Sequence, residues 1–294
     1  MKQETKDKIT EYQVRAFMAF AKSIRPGWRA NALAGTAISL LKASGVRKDT
    51  ARRNIALCFP EKSQAERDKI LDESYESMIW TGVEMLAWQH DPPMVDRMVV
   101  ETQGVERLDE VLKNGRGAIL FSPHIGSWEV GASWCGRHYP FHGLVRHSDS
   151  PFQRLLIETL RENSSLRTIS KDAPLKQLVS LLKHNETIGF LADQHWGREG
   201  ILVPFFGVET STATGPAVFS RLTGAPMISL AFTRIEPFKF KLTVGEPMLP
   251  KKDLPRDEAI RELTIRMNEE YENIIRATPG QWLWQHRRFR EIIE

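Results

Sequence analysis

The feature that most constrains this chain is the texture from about Val99 onward, where short apolar runs alternate with stretches of helical spacing. The runs are Ala118–Ser122, Phe141–Arg146, Thr187–Asp193, Met227–Thr233 and Phe238–Val244. The helical stretches are Ser148–Asn163, Ala173–His184, Pro216–Thr223 and Arg256–Thr278. Alternation of this kind predicts an α/β fold, a mostly parallel twisted sheet flanked by helices, because parallel neighbours need a crossover between them. Only Arg234-Ile235-Glu236-Pro237 separates the last two runs. That is too short for a helical crossover, so they are expected to form a hairpin and give the sheet an antiparallel edge. The helix at Pro216 is signposted by Thr214-Gly215-Pro216 at its start and Gly224 beyond its end.

Upstream, the pattern is helical throughout. Val14, Phe17, Met18, Ala21 and Ile24 recur at helical spacing within Thr10–Ile24, with Arg15 and Lys22 among them. Two readings stand for this helix: packing on the main domain, or lying in a membrane interface with its apolar face in the headgroups. A second helical region covers Ala30–Leu57. Ser63-Gln-Ala-Glu66 then reads as a capping box opening a helix that must stop before Pro92-Pro93. The early apolar stretches are interrupted by Lys22, Arg25 and Arg29, so neither supplies the roughly 20 apolar residues of a spanning helix. The expected organisation is an N-terminal helical, membrane-facing region over 1–60 and an α/β domain over 61–294.

Hydrophobic residues make up 41% of the 294 and charged residues 27%, enough for a substantial core and not a disordered composition. The net charge of +4 favours anionic partners without choosing among nucleic acid, lipid or an acidic protein. Cys58 and Cys135 stand in unrelated contexts, which argues against a disulfide framework.

The chemistry is expected where the apolar runs end. Ala118–Ser122 is followed by Pro123-His124, Phe141–Val145 by Arg146, and Thr187–Ala192 by Asp193. In a parallel sheet all three emerge at carboxyl ends of strands, the rim at which open α/β sheets bind ligands. Within Phe121-Ser-Pro-His124-Ile-Gly-Ser-Trp-Glu129, His124 and Glu129 are five residues apart, about 140° around a regular helix. They can meet only if His124 sits in the strand-to-helix turn and Glu129 in the helix, with Gly126 easing the turn. A histidine held by a carboxylate keeps one ring nitrogen available and is stabilised on taking a proton, which suits a base for an alcohol attacking a thioester.

The stretch His124-Ile-Gly-Ser-Trp-Glu129 resembles the His-x4-acid motif of glycerolipid acyltransferases, in the Glu form of the late acyltransferases of lipid A biosynthesis. Asp193-Gln-His-Trp-Gly-Arg198-Glu-Gly and Pro204-Phe-Phe-Gly207 resemble that family's next segments. Gln281-Trp-Leu-Trp-Gln-His286-Arg-Arg-Phe289 resembles its C-terminal signature, and Ala51-Arg-Arg-Asn54-Ile-Ala-Leu-Cys58-Phe-Pro60 its early helical region. Similarity thus covers roughly residues 45 to 290, with the motifs in order. The resemblance implies that His124 is the general base and Glu129 its orienting carboxylate. It also implies substrate-binding roles for Arg146, Arg161, Asp193 and Arg198, Arg161 matching the family's essential arginine. The implied reaction is O-acylation of a phosphorylated glycolipid of the lipid A precursor type, with an acyl-carrier-protein thioester as donor. It needs no cofactor or metal and no nucleic acid. The implied location is the cytoplasmic face of the bacterial inner membrane, in peripheral or monotopic contact with anionic lipid. Rival readings are acylation of another glycolipid or a lysophospholipid from acyl-CoA, and a non-catalytic lipid-binding protein. Two departures stand out: the apolar N-terminal segment is short and interrupted, and Arg146-His147 stands where relatives often carry Arg-Pro.

No Gly-x-Ser-x-Gly elbow, P-loop or Gly-x-Gly-x-x-Gly fingerprint is present, so direct transfer is expected rather than a covalent acyl-enzyme. Cys135 reads as a packed cysteine rather than a nucleophile. Cys135, His138, His142 and His147 are spread over helix, loop and strand, so no metal site is expected there. Trp282, Trp284, Phe205 and Phe206 fit either core or an acyl channel. The run His286 to Arg290 fits either a solvated basic end or a contact for lipid phosphates or an acidic carrier.

Overall fold

The computed structural model describes residues 3–290 apart from 147, 149, 163 and 164, with side chains from residue 8 onward. The N-terminal region folds as α1 (Gln3–Ala21), α2 (Trp28–Ser44) and α3 (Lys48–Cys58). The second helical region, expected over 30–57, is α2 and α3, separated at Gly45 and Arg47, both with left-handed backbone (φ 61° and 52°). Then comes α4 (Gln64–Ala87), opened by the capping box: Glu66 N–H donates to Ser63 Oγ at 3.3 Å, and Ser63 N–H to the Glu66 carboxylate at 2.8 Å. As expected, α4 is finished before Pro92. No helix among the described residues is long and apolar enough to cross a membrane.

The α/β part follows as α5 (Met94–Met98), β1 (Val99–Gln103), α6 (Val105–Lys113), β2 (Ala118–Phe121), α7 (Trp128–His138) and β3 (Phe141–Val145). It continues through α8 (Pro151–Glu162), β4 (Arg167–Ser170), α9 (Leu175–Lys183), β5 (Thr187–Phe190), β6 (Ile201–Phe205) and β7 (Val208–Thr212). The chain closes with α10 (Gly215–Thr223), β8 (Met227–Glu236), β9 (Lys239–Val244) and α11 (Arg256–Ala277). Seven of the described strands form one sheet in the order β1-β9-β8-β2-β5-β3-β4. Strands β8, β2, β5, β3 and β4 are mutually parallel; β9 pairs antiparallel with β8, and β1 runs parallel to β9. The predicted hairpin is present, and its strands run on to pair Glu236 with Lys239.

Central strand β2 shows why the expected parallel sheet forms. Its four residues are all buried, and successive side chains go to opposite faces. Ile119 and Phe121 enter a core with Leu182, Phe205, Leu263, Tyr271 and Trp284. Ala118 and Leu120 enter a second core with Trp88, Met98, Val130, Phe232 and Leu242. Strands β1 and β4 are sheet edges and mostly exposed, so they carry no apolar run. The β6–β7 hairpin turns on Phe206 and Gly207, both at positive φ as a two-residue hairpin turn requires.

Helix α1 divides its apolar residues. Val14 and Met18 are buried against Leu160 of α8, whereas Tyr12 and Phe20 are exposed.

Candidate active site

The register of β2 and β5 builds the centre of the site. Phe121 pairs with Phe190, and Ser122 N–H still reaches the Phe190 carbonyl at 3.0 Å. Three residues beyond each partner, at the carboxyl edge of the sheet, stand His124 and Asp193. The Asp193 carboxylate takes His124 Nδ1 at 2.6 Å on one oxygen. On the other it takes the His124 backbone N–H at 2.8 Å and the Trp282 indole N–H at 2.7 Å. Asp193 is 1% exposed. Burial alone pushes its carboxyl up, but the charge of His124 and the bonds from its ring, Trp282 and the His124 backbone outweigh that and hold it at about 2. The imidazole stays partly open, with the edge of Trp128 against it at 5.2 Å between ring centroids. With Nδ1 committed to Asp193, Nε2 is the ring nitrogen left for a reacting group.

The sequence assigned the carboxylate at His124 to Glu129. The structure gives that position to Asp193. As expected, His124 sits in the strand-to-helix turn and Glu129 in the first turn of α7. From there the Glu129 side chain meets α8, clasping the Arg161 guanidinium with Nη2–Oε1 at 2.6 Å and Nε–Oε2 at 3.3 Å. Sequence proximity favoured Glu129; strand register brings Asp193, 69 residues away. Asp193, first read as a substrate contact, is therefore bonded to the histidine itself. Arg161 is a partly buried ion-paired group rather than a bare surface cation.

Arg146 is exposed just beyond β3, the strand next to β5, so it shares the rim with His124 and Asp193. Arg198 is exposed in a single 3₁₀ turn, Gly197–Glu199, between β5 and β6. His147, which follows Arg146, lies outside the described residues.

The C-terminal segment contributes more than its sequence suggested. Trp282 and Trp284 are buried core residues, and the first also bonds Asp193. The run expected as either a solvated end or a ligand contact is split. Arg288 is wholly buried, donating to the Gln194 and Ser211 carbonyls and to Thr212 Oγ1, while Arg287 and Arg290 are exposed. His286 lies within electrostatic reach of Asp193 and His124; burial lowers its imidazole most, and His124, Arg288 and Arg47 add to this against the opposing pull of Asp193, leaving it at about 4. Nothing local in the sequence distinguished Arg288 from Arg287, because the difference lies in what packs over each.

Cys135 is buried and its thiol pushed up to about 12 by burial, which removes it as a nucleophile at neutral pH. His138 stacks on Trp134 and bonds Asp96, and His142 bonds Glu186.

An α/β sheet bearing a carboxylate-held histidine at its carboxyl rim has the geometry that acid–base enzymes use. A sequence model of the bacterial lipid A biosynthesis acyltransferases matches residues 3–291, and the chain belongs to that family. It is therefore an O-acyltransferase. It is 31% identical over 248 residues to the lipid A biosynthesis palmitoleoyltransferase of Escherichia coli K12, covering 83% of this chain and 79% of that one. It is 31% identical over 252 residues to the lauroyltransferase of the same organism, with the same coverage. A phosphatidylinositol mannoside acyltransferase of Mycobacterium tuberculosis is 27% identical over 186 residues, 60% of this chain and 58% of that one.

Proposed function

We propose that this enzyme moves a fatty acyl chain from an acyl-carrier-protein thioester to a hydroxyl of a phosphorylated glycolipid, a lipid A precursor. The observation that carries the reading is the His124–Asp193 pair at the sheet rim. His124 Nε2 takes the proton of the acceptor hydroxyl as its oxygen attacks the thioester carbon. The tetrahedral species collapses with cleavage of the C–S bond, and the imidazolium returns the proton to the leaving thiolate. The products are an ester and a free thiol, with no acyl-enzyme between. Asp193 holds the tautomer and stabilises the imidazolium. Glu129 sets the fork of Arg161, which with Arg146 and Arg198 meets acceptor phosphate or the oxyanion. The acceptor class is supported by the names of the E. coli relatives, and an acidic carrier by the exposed Arg146, Arg198, Arg287 and Arg290.

The region 1–60 is read as the membrane-facing part and 61–294 as the catalytic part. Tyr12 and Phe20 on α1 and Trp28 and Leu40 on α2 are exposed apolar residues, beside exposed Arg15, Lys22, Arg25 and Arg29. That mixture suits peripheral binding to anionic lipid on the cytoplasmic face of the inner membrane. The mannoside-acyltransferase relative favours one second reading, acylation of a different glycolipid; the donor weighed with that reading is acyl-CoA.

Mass spectrometry of products tests both. Purified enzyme is offered acyl-carrier-protein and CoA thioesters with a phosphorylated glucosamine disaccharide lipid, a mannosylated phosphoinositide and a lysophospholipid. Acylated disaccharide from the carrier-protein donor, lost by about 10²–10⁴-fold in His124→Ala, is expected. Acylation confined to another acceptor replaces the first reading with the second, and near-wild-type turnover by folded His124→Ala removes His124 as base.

A further inference from the structure

The turn that carries His124 is held by segments far from it in sequence. The His124 carbonyl accepts from Leu283 N–H at 3.1 Å, Gly126 N–H donates to the Gln281 carbonyl at 3.2 Å, and Ser127 N–H to the Phe232 carbonyl at 3.3 Å. The Gly126 carbonyl accepts from Thr81 Oγ1 at 2.6 Å and from Arg234 Nη2 at 3.4 Å. Arg234 is where these segments converge. Its guanidinium makes a two-pronged pair with Glu84, Nε–Oε1 at 2.8 Å and Nη2–Oε2 at 2.7 Å, with side chains 7% and 0% exposed. It also donates to Ser77 Oγ at 3.0 Å and Thr81 Oγ1 at 3.3 Å. Its backbone is read by the Gln281 side chain as a neighbouring strand would read it: Arg234 N–H to Oε1 at 2.7 Å, Gln281 Nε2 to the Arg234 carbonyl at 2.8 Å.

A buried ion pair is a poor source of stability, because desolvating two charges costs about as much as their attraction returns. Five side-chain hydrogen bonds from one guanidinium, reaching α4 and the His124 turn together, instead fix geometry. We infer that Arg234, with Glu84 and Gln281, is a positioning assembly that sets the height of the His124 turn over the sheet rim. It touches no reacting atom. Through Gly126 and the Gln281–Leu283 segment it fixes where His124 stands relative to Asp193 and the incoming hydroxyl. This inference rests on the reading of His124 as the base.

The test separates position from stability. Arg234→Met/Glu84→Gln removes both charges together, so no unpaired charge is left buried. Thr81→Val keeps the shape of the side chain and removes the hydroxyl that joins the Gly126 carbonyl to Arg234 Nη2 and also reaches the Ser77 carbonyl. For the folded double variant a kcat about 10- to 100-fold below wild type is expected, the loss that a misplacement of about 1 Å produces. Donor and acceptor KM should stay within about threefold. Thr81→Val is expected to lose kcat in the same sense while still fully folded at the assay temperature, its melting temperature lowered by a few degrees at most. The downfield proton of His124 Nδ1–H, observed by NMR with ¹⁵N-histidine, should shift or broaden in Thr81→Val. Wild-type kcat in the folded double variant, or a loss confined to KM, overturns the assignment. If the double variant does not fold, Thr81→Val decides: unchanged kcat and an unmoved Nδ1–H resonance overturn it. A wild-type protein inactive on every acceptor instead sinks the acyl-transfer reading, and the resonance still tests the positioning role.

Discussion

Asp193, itself buried, answers three donors with two oxygens, and one of those donors is the ring proposed to take the proton. An Asn side chain keeps the size but has no charge to stabilise an imidazolium and only one acceptor oxygen. Asp193→Asn is therefore expected to cut kcat by about 10²–10⁴-fold. Glu129→Gln leaves the histidine pair intact and weakens only the clasp on Arg161, so its main effect should be a raised acceptor KM. Steady-state kinetics of the two variants side by side check this; a larger kcat loss in Glu129→Gln than in Asp193→Asn would return the orienting role to Glu129. Glu129 was the natural choice from sequence because it sits five residues from His124 in a family-like motif. The distance between His124 and Asp193 is set by register between β2 and β5, which no local pattern reports.

At the scale of elements, the strand–turn–helix unit β2–α7 is the working part, and Gly126 sets its shape. Its φ is +56°, and a Cβ there would overlap the Phe232 carbonyl oxygen. Left-handed backbone costs a non-glycine residue about 1–2 kcal/mol before any clash. Gly126→Ala should destabilise the protein by at least about 2 kcal/mol in denaturant unfolding. Its folded fraction should also turn over more slowly than wild type, since the turn must lift from Phe232. A folded Gly126→Ala protein with unchanged stability would show that the turn is free to move. The strands that alternation revealed, β2, β3, β5, β8 and β9, are those flanked by other strands or long enough to be apolar. The edges β1 and β4 escaped notice because half their surface meets water and any polar residue serves there.

Across the whole molecule, the last segment ties the N-terminal helices to the site. Asn54 on α3 donates to the carbonyls of Trp284 and His286 at 2.8 and 2.7 Å, and Arg288 locks the same segment to β7. His286 in that segment makes the fold acid-sensitive. Its imidazole is lowered to about 4 in the folded chain against about 6.5 unfolded, so between those values the unfolded chain binds more protons. The associated stability is fully present above about pH 6.5 and is lost as pH falls toward 4, by up to about 3 kcal/mol. Unfolding free energies measured from pH 7 to pH 4 should fall less steeply in His286→Asn than in wild type. Parallel profiles would show that His286 does not carry the effect.

The amino-acid sequence by itself determined the α/β class, the antiparallel β8–β9 hairpin, the capping box at Ser63 and the placing of His124, Arg146 and Asp193 at one rim. These follow from local periodicity, turn chemistry and the direction of parallel strands. It also carried the family, because several motifs in order are specific even where each alone is weak. Only the tertiary structure decided which carboxylate meets His124, which arginine of Arg287-Arg288 is buried, and that Arg234 underlies the His124 turn. Those are outcomes of register and packing between segments 69 to 150 residues apart. At such separations a carboxylate, a guanidinium or an indole has the same sequence signature whether it ends in solvent or in the site.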